Sequence, residues 1–293
     1  MIKTIAALVI GLVLGFFAAT LLGGRTAKAP VIAPQDWRAQ VKELRIGVTG
    51  PENAAVRTGR LDKYTGRLRA RLGIPVSFVQ ASDYAGIVQA MAAKQIELAI
   101  VGASAYASMY DEAGGNVEPL VSNREVDGSM GYYAALFVRA DSPYKTLADL
   151  RGKSIAYPDP NSTSGYLFPR AFMRLRGLDP DRYFARSGFA GGHNQTVIAV
   201  LHRQYDSGLT WTSGIGKPEE GYSRGTFRIM ARAKPAQLDM KDIRVIELLG
   251  PIPNGPTVVR KDLPQELKDL LRGILTTLHY EDKATFEALS GGE

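Results

Sequence analysis

Cysteine is absent from the 293 residues. Its absence excludes disulfides, thiolate metal sites, thiol catalysis and a lipid-modified cysteine near the N-terminus. Histidine is scarce: His193, His202 and His279 are the three, and none has metal-ligand spacing. No Gly-x-Ser-x-Gly elbow, Walker loop or dinucleotide-binding glycine motif occurs. The adjacent Glu219 and Glu220 read as a solvated loop rather than a catalytic pair. Dense Lys/Arg blocks with interleaved aromatics are missing as well, which argues against nucleic acid as a partner. These absences together point away from an enzyme, and away from a bound metal or cofactor.

What is present is globular. Hydrophobic residues make up 45% and charged residues 22% of the chain, and the length allows two domains of ordinary size. The formal net charge is +7, to which Lys3, Arg25 and Lys28 contribute three. The remainder is mildly basic and suits an anionic ligand. Lys3 precedes a mostly apolar run over residues 5–24, punctuated by Thr20 and closed by Arg25. A positive residue ahead of such a run is an export signal. Its length is also enough to span a bilayer. Ala27, Lys28 and Ala29 have the small-x-small pattern of a cleavage site, but Pro30 follows directly. Residues 1–29 are therefore either a cleaved signal peptide or a retained anchor. Both readings place the body in the periplasm or on the outer face of the cytoplasmic membrane.

Residues 30–42 read as a linker, because no apolar period runs through them. From residue 43 strands and helices alternate. Strands are expected over residues 43–49, 75–80 and 97–101. Helices are expected between them and after them, with Ser82 and Ser104 as caps. Residues 132–139 form a long apolar strand. A second α/β set follows, with strands over 154–157, 183–188, 207–211 and 243–249 and helices from about 162 and 194. Alternation with short joins predicts sheets with many parallel strands, covered by helices. The last helix starts around Pro264 and buries Leu267, Leu270, Leu271, Ile274 and Leu278. Proline-marked breaks near residues 141–146 and 250–256 divide the chain into two lobes. The first is discontinuous, 43–140 plus 256–293, and the second is 147–250. Two strands crossing between lobes make a hinge, and the cleft between the lobes is the expected ligand site.

The strongest local signal runs from Tyr157 to Tyr166 and reads Tyr-Pro-Asp-Pro-Asn-Ser-Thr-Ser-Gly-Tyr. A strand ends, a Pro/Asn turn follows, and a helix opens on hydroxyl residues. The first amides of a helix lack internal acceptors and sit at the positive end of its dipole. An anion is attracted there, and Ser162, Thr163 and Ser164 add hydroxyl donors. Gly165 permits close backbone approach. Simple N-capping explains one hydroxyl of the three.

Several stretches carry a resemblance. They are residues 82–91 (Ser-Asp-Tyr-Ala-Gly-Ile-Val-Gln-Ala-Met), 97–102 (Glu-Leu-Ala-Ile-Val-Gly) and 131–138. Residues 147–154, 159–165 and 191–194 (Gly-Gly-His-Asn) complete the set. The chain resembles the phosphate/phosphite/phosphonate-type substrate-binding proteins of ABC importers. That resemblance implies a two-lobed, type II-like periplasmic-binding-protein fold: α/β, with two parallel-rich sheets joined by a two-strand hinge. It implies capture of a small phosphorus oxyanion and delivery to an ABC permease in the cytoplasmic membrane, by a protein expected to be a monomer. The ligand contacts it implies are the Ser-Thr-Ser helix start and Tyr84. His193 becomes a donor to the oxyanion, and Ser104 is either a helix cap or a ligand contact. Members that take aminoalkyl-phosphonates place acidic residues around the ammonium group. The corresponding positions here, about Ser213 and Gly255, are not acidic. Phosphite, methylphosphonate or phosphate is therefore expected rather than aminoethylphosphonate. A membrane-tethered anion sensor of the same fold, or a binding protein for another small ligand, is the alternative.

Overall fold

The computed structural model describes residues 36–48 and 54–292. The expected export segment, and residues 30–35 of the expected linker, lie outside these residues. Among the described residues no helix is long and apolar enough to cross a membrane.

The first sheet grows from β1 (Leu44–Val48), which pairs in parallel with β2 (Val76–Val79) and β3 (Leu98–Ile100). Helix α1 (Ala54–Leu72) joins β1 to β2, and α2 (Tyr84–Ala92) joins β2 to β3. Leu61, Tyr64, Leu68 and Leu72 recur at helical spacing on α1 and are buried against the sheet. Helix α3 (Ala103–Glu112) then leads to β4 (Val117–Ser122), and the chain leaves this sheet.

The second sheet begins with β5 (Gly131–Arg139), followed by β6 (Ser154–Tyr157). A widened turn over Thr163–Leu167 opens α4 (Phe168–Leu175). The short α5 (Pro180–Tyr183) precedes β7 (Arg186–Phe189), and α6 (His193–Leu201) precedes β8 (Ser207–Thr212). Helix α7 (Thr226–Ala231) and the long β9 (Ile243–Pro253) complete this part. The chain then returns to the first sheet as β10 (Pro256–Arg260) and ends in α8 (Gln265–Glu281) and α9 (Lys283–Ser290).

The strand orders are β2-β1-β3-β10-β4 and β7-β6-β8-β5-β9. Each sheet holds one strand antiparallel to its neighbours, β10 in the first and β5 in the second. Those two strands are the ones that each crossing feeds. Each sheet has apolar clusters on both faces, as expected of mostly parallel sheets. The result is the two-lobed, parallel-rich α/β architecture anticipated above.

Three expectations change. The first crossing lies at residues 123–130, between β4 and β5, and not at 141–146. Strand β5 pairs with β8 and β9, so residues 131–140 belong with the second sheet. The return crossing is the Asn254–Gly255 step between β9 and β10. Strand β4 escaped notice because Glu118 and Pro119 interrupt its apolar pattern. It is an edge strand, where proline is tolerated, and the ladder with β10 shifts register beside Pro119. Finally, ordered packing starts earlier than residue 43. Trp37 opens a short 3-10 turn, and both Trp37 and Val41 are buried in the first sheet's core. Arg38 lies over the Trp37 ring and donates through Nε to the Leu72 carbonyl at 2.9 Å. Two apolar residues without a period do not announce themselves in a sequence.

Trp37→Ala is expected to cost about 3 kcal/mol of unfolding free energy, the low end for deleting a buried large aromatic. A urea midpoint unchanged by the substitution would show that residues 36–42 are a linker after all.

Candidate functional site

Strand β6 ends at Tyr157, and the chain turns through Pro158, Asp159, Pro160 and Asn161. Asp159 shapes the turn by accepting the Asn161 amide on its Oδ1 at 2.7 Å and the Ser162 amide on its carbonyl at 3.1 Å. Ser162 is the N-cap: its Oγ accepts the Gly165 amide at 3.0 Å. The following turn is one residue wider than an α turn, since the Leu167 amide reaches back to the Ser162 carbonyl at 3.0 Å. Among the described residues the amides of Thr163 and Ser164 have no acceptor. They are the orphan donors that a helix start leaves.

Gly165 is required by the turn itself. A Cβ there would sit 2.0 Å from Pro158 Cγ. Its amide is used by the cap, and it does not line the cavity described below. The expectation of a direct ligand contact at Gly165 gives way to this structural task.

The opposite lobe approaches through two helix starts. Asp83, not Ser82, caps α2 by accepting the Gly86 amide at 2.9 Å, and Ser82 hydrogen-bonds to Asp83. The Tyr84 amide donates across the cleft to Asp159 Oδ2 at 3.3 Å. Gly102, not Ser104, occupies the cap position of α3. The Ser104 amide donates to Thr163 Oγ1 at 3.0 Å, and Ser104 stays off the cavity wall. Ser104 therefore joins the lobes rather than lining the space between them. Burial of the Asp159 carboxyl raises its pKa, and the amides of Asn161 and Tyr84 counter part of that effect.

Between the lobes lies a cavity of about 150 Å³. Tyr84 and Gly102 line it from the first lobe, and Ser162, Thr163, Ser164 and His193 line it from the second. Tyr132, on β5, joins them and was missed in the sequence because it sits inside an apolar strand. Burial raises the Tyr132 phenol pKa; the Ser164 and Thr163 hydroxyls and the charge on Arg224 pull it back in part.

His193 is the first residue of α6 and is 3% exposed. Thr210 Oγ1 donates to Thr226 Oγ1 at 2.7 Å, so it accepts from His193 Nδ1–H at 3.0 Å. This assignment leaves Nε2 as an acceptor 3.3 Å from Ser162 Oγ. The sequence suggested that His193 donates to an anion. Its proton is instead directed into the lobe, and its lone pair orients the Ser162 hydroxyl.

A second group of residues surrounds Arg224, which also lines the cavity. Arg224 donates through Nε to Glu125 Oε2 at 3.2 Å and through Nη2 to Glu125 Oε1. Its Nη2 also donates to Asn254 Oδ1 at 2.9 Å. Asn254 in turn donates through Nδ2 to Glu125 Oε1 at 2.9 Å and to the Asn123 carbonyl at 3.1 Å. The guanidinium lies 5.2 Å from the centroid of Trp211. Glu125 and Asn254 belong to the two crossings, so one arginine of the second lobe is tied to both. No local spacing betrays this group: Arg224 and Glu125 are 99 residues apart.

Burial pushes the His193 pKa down to about 3 from 6.5. The folded value is below the unfolded one, so in that window the unfolded chain binds the extra proton. The stabilisation from neutral His193 is complete above the unfolded pKa and is lost as pH falls toward the folded one. Wild-type stability should therefore decline with acidification by up to ~1.4 kcal/mol per pH unit from this residue. His193→Gln should flatten that part of the profile. Urea titrations of both proteins between about pH 6.5 and 4.5 giving parallel losses would refute the assignment.

Comparison with known proteins agrees with this architecture. Residues 46–292 match the family model described as the periplasmic substrate-binding protein of phosphonate ABC transporters. The chain is 29% identical over 267 residues to the phosphonates-binding periplasmic protein of Escherichia coli, covering 88% of this chain and 73% of that one. It is 33% identical over 182 residues to the phosphate-import protein PhnD of Mycolicibacterium smegmatis, which covers 59% and 56% of the two chains. The structure of PhnD1 from Prochlorococcus marinus in complex with methylphosphonate shares the fold, with a TM-score of 0.70 at 17% identity over 85% of this chain and 89% of that one. With the family model spanning nearly all of the described residues, the chain belongs to the phosphonate family of periplasmic substrate-binding proteins of ABC transporters.

Proposed function

We propose that the cavity captures a small phosphorus oxyanion, such as phosphite, methylphosphonate or phosphate, and that the closed protein presents it to an ABC permease. As a substrate-binding protein of a transporter, the chain is not an enzyme. The observation that carries the ligand reading is the pair of unspent amides at Thr163 and Ser164, at a helix start that faces the interlobe cavity. A tetrahedral anion docked there accepts both amides, with the helix dipole in its favour. The Thr163 hydroxyl accepts from the Ser104 amide, so its own proton remains to be given to the anion. Ser164, Tyr132 and Tyr84 line the same space.

Ser162 and His193 act one step behind. The Ser162 hydroxyl accepts from Gly165 and donates to His193, which holds the cap in place while the next two amides meet the ligand. The interlobe hydrogen bonds explain closure. Thr163 is at once part of the anion seat and the acceptor for the first lobe, so seating an anion on the second lobe orders a residue that the first lobe grips. The ligand stabilises closure by whatever contacts it makes only in the closed form. The crossings at 123–130 and 254–255 serve as the hinge in this reading.

Recognition of aminoethylphosphonate is disfavoured at both positions considered in the sequence. Ser213 is fully buried and hydrogen-bonds to Ser223 at 2.9 Å, off the cavity wall. A side chain at Gly255 would meet the Val101 carbonyl oxygen at 2.0 Å.

Thr163→Pro tests the seat directly. Ser162 has φ −72° and ψ 125°, a conformation that accepts a following proline, and the first helical position tolerates one. The variant loses an amide and a hydroxyl donor. Its affinity for methylphosphonate, by calorimetry, should fall by about 3 kcal/mol, the scale of one to two hydrogen bonds to a charged group. Tyr132→Phe should cost about 1–3 kcal/mol on the same scale. Wild-type affinity in Thr163→Pro would remove the basis of the proposal.

A further inference from the structure

Part of the cavity wall is unexplained by a bare oxyanion. Besides the Ser-Thr-Ser turn, Trp211, Ile229 and Leu289 line the cavity, with Arg224 among them. The side chain of Glu125 is 0% exposed and lies behind the guanidinium, off the cavity wall. Among the described residues that line the cavity there is no carboxylate, and His193 is neutral. Arg224 therefore holds the one formal charge on the described wall.

The donors of Arg224 can be accounted for. Nε and Nη2 are engaged by Glu125 and Asn254. Nη1 has a single long contact, 3.5 Å to the Ser290 carbonyl. A guanidinium has two protons on that nitrogen, so donor capacity remains on the side chain that reaches the cavity. Its charge is also felt at the anion seat, because it lowers the pKa of the Tyr132 phenol beside Ser164 and Thr163.

We infer that Arg224 is a specificity residue, and that the cavity takes a phosphonate whose short tail ends in a hydrogen-bond acceptor, a carboxylate foremost. This rests on the oxyanion seat proposed above and names the substrate class that the seat serves. The phosphonate docks on the amides of Thr163 and Ser164. The tail passes the apolar wall, and its acceptor meets Arg224 Nη1. An ammonium tail meets the guanidinium before it can reach Glu125, so a cationic ligand is repelled and its charge is left unpaired. An alkyl tail fits the apolar wall but leaves the Nη1 donor unused. The Glu125 and Asn254 bonds hold the guanidinium in one orientation, which a selective contact requires.

Calorimetric titrations of the wild-type protein with methylphosphonate, ethylphosphonate, phosphonoacetate and 2-aminoethylphosphonate test this. Phosphonoacetate should bind at least tenfold tighter than ethylphosphonate, and 2-aminoethylphosphonate at least tenfold weaker than phosphonoacetate. Removing Arg224 alone strands a buried carboxylate, so the paired variant Arg224→Gln/Glu125→Gln is used, with folding checked by thermal melting. In it the ratio of phosphonoacetate to ethylphosphonate affinity should collapse toward one. Methylphosphonate binding with no tail preference in the wild type overturns this inference and leaves the oxyanion seat standing. A ratio retained in a folded double variant overturns the role of Arg224, and the wild-type ranking decides the ligand class even if that variant does not fold. Failure of every phosphonate to bind overturns this inference, and failure of phosphite and phosphate as well removes the seat with it.

Discussion

The hydrogen bond from the Ser104 amide to the Thr163 hydroxyl joins two helix starts that belong to different lobes. Each lobe folds around its own sheet, yet the cavity is lined by both, and the Ser-Thr-Ser turn draws its polarity from backbone ends and hydroxyls rather than from ionised side chains. This constrains much of the surroundings. Pro158 and Gly165 must nest so that the turn presents its amides. Asp159 must stay accessible to the Tyr84 amide. Helices α2 and α3 must begin where they do, at the edge of the first sheet, for their first amides to point across. A turn built this way suits an oxyanion without a fixed positive charge within the turn, and its amides need little reorganisation to meet one.

The Arg224, Glu125 and Asn254 group obeys a different logic. A buried ion pair is a weak source of stability, because desolvation offsets most of the attraction, whereas losing one partner costs about 3–5 kcal/mol. What the arrangement secures is geometry. One side chain of the second lobe is bonded to both crossings, so the part of the cavity wall that carries Arg224 is registered against them. The segment after α9 adds to this: Gly291 accepts the Gly225 amide at 3.1 Å, and Gly292 bridges to Arg224. A segment leading from the first lobe thus lies on the loop that carries the arginine.

How much of this was legible in the sequence follows the range of the interaction. The Ser162–Thr163–Ser164 turn could be read because cap, orphan amides and glycine fall within four consecutive residues. The alternation of strands and helices, and the buried stripe of α8, were legible for the same reason. The first crossing was misplaced because an apolar strand such as β5 does not state which sheet it joins; its partners β8 and β9 lie far along the chain. The direction of the His193 proton depends on Thr210 and Thr226, which only the fold brings to it. Trp37 and Val41 were overlooked because their burial comes from α1 and the first sheet's core, not from any pattern of their own.

The chain has two tryptophans, in unlike places. Trp37 is sealed in the first sheet's core, and Trp211 stands in the cavity wall with a guanidinium above its ring and Tyr132 edge-on at 5.9 Å. The protein thereby contains its own optical gauge. Capture of a ligand in the proposed cavity is expected to change emission from Trp211 while that from Trp37 supplies a steady background, so stopped flow can time it without an attached dye.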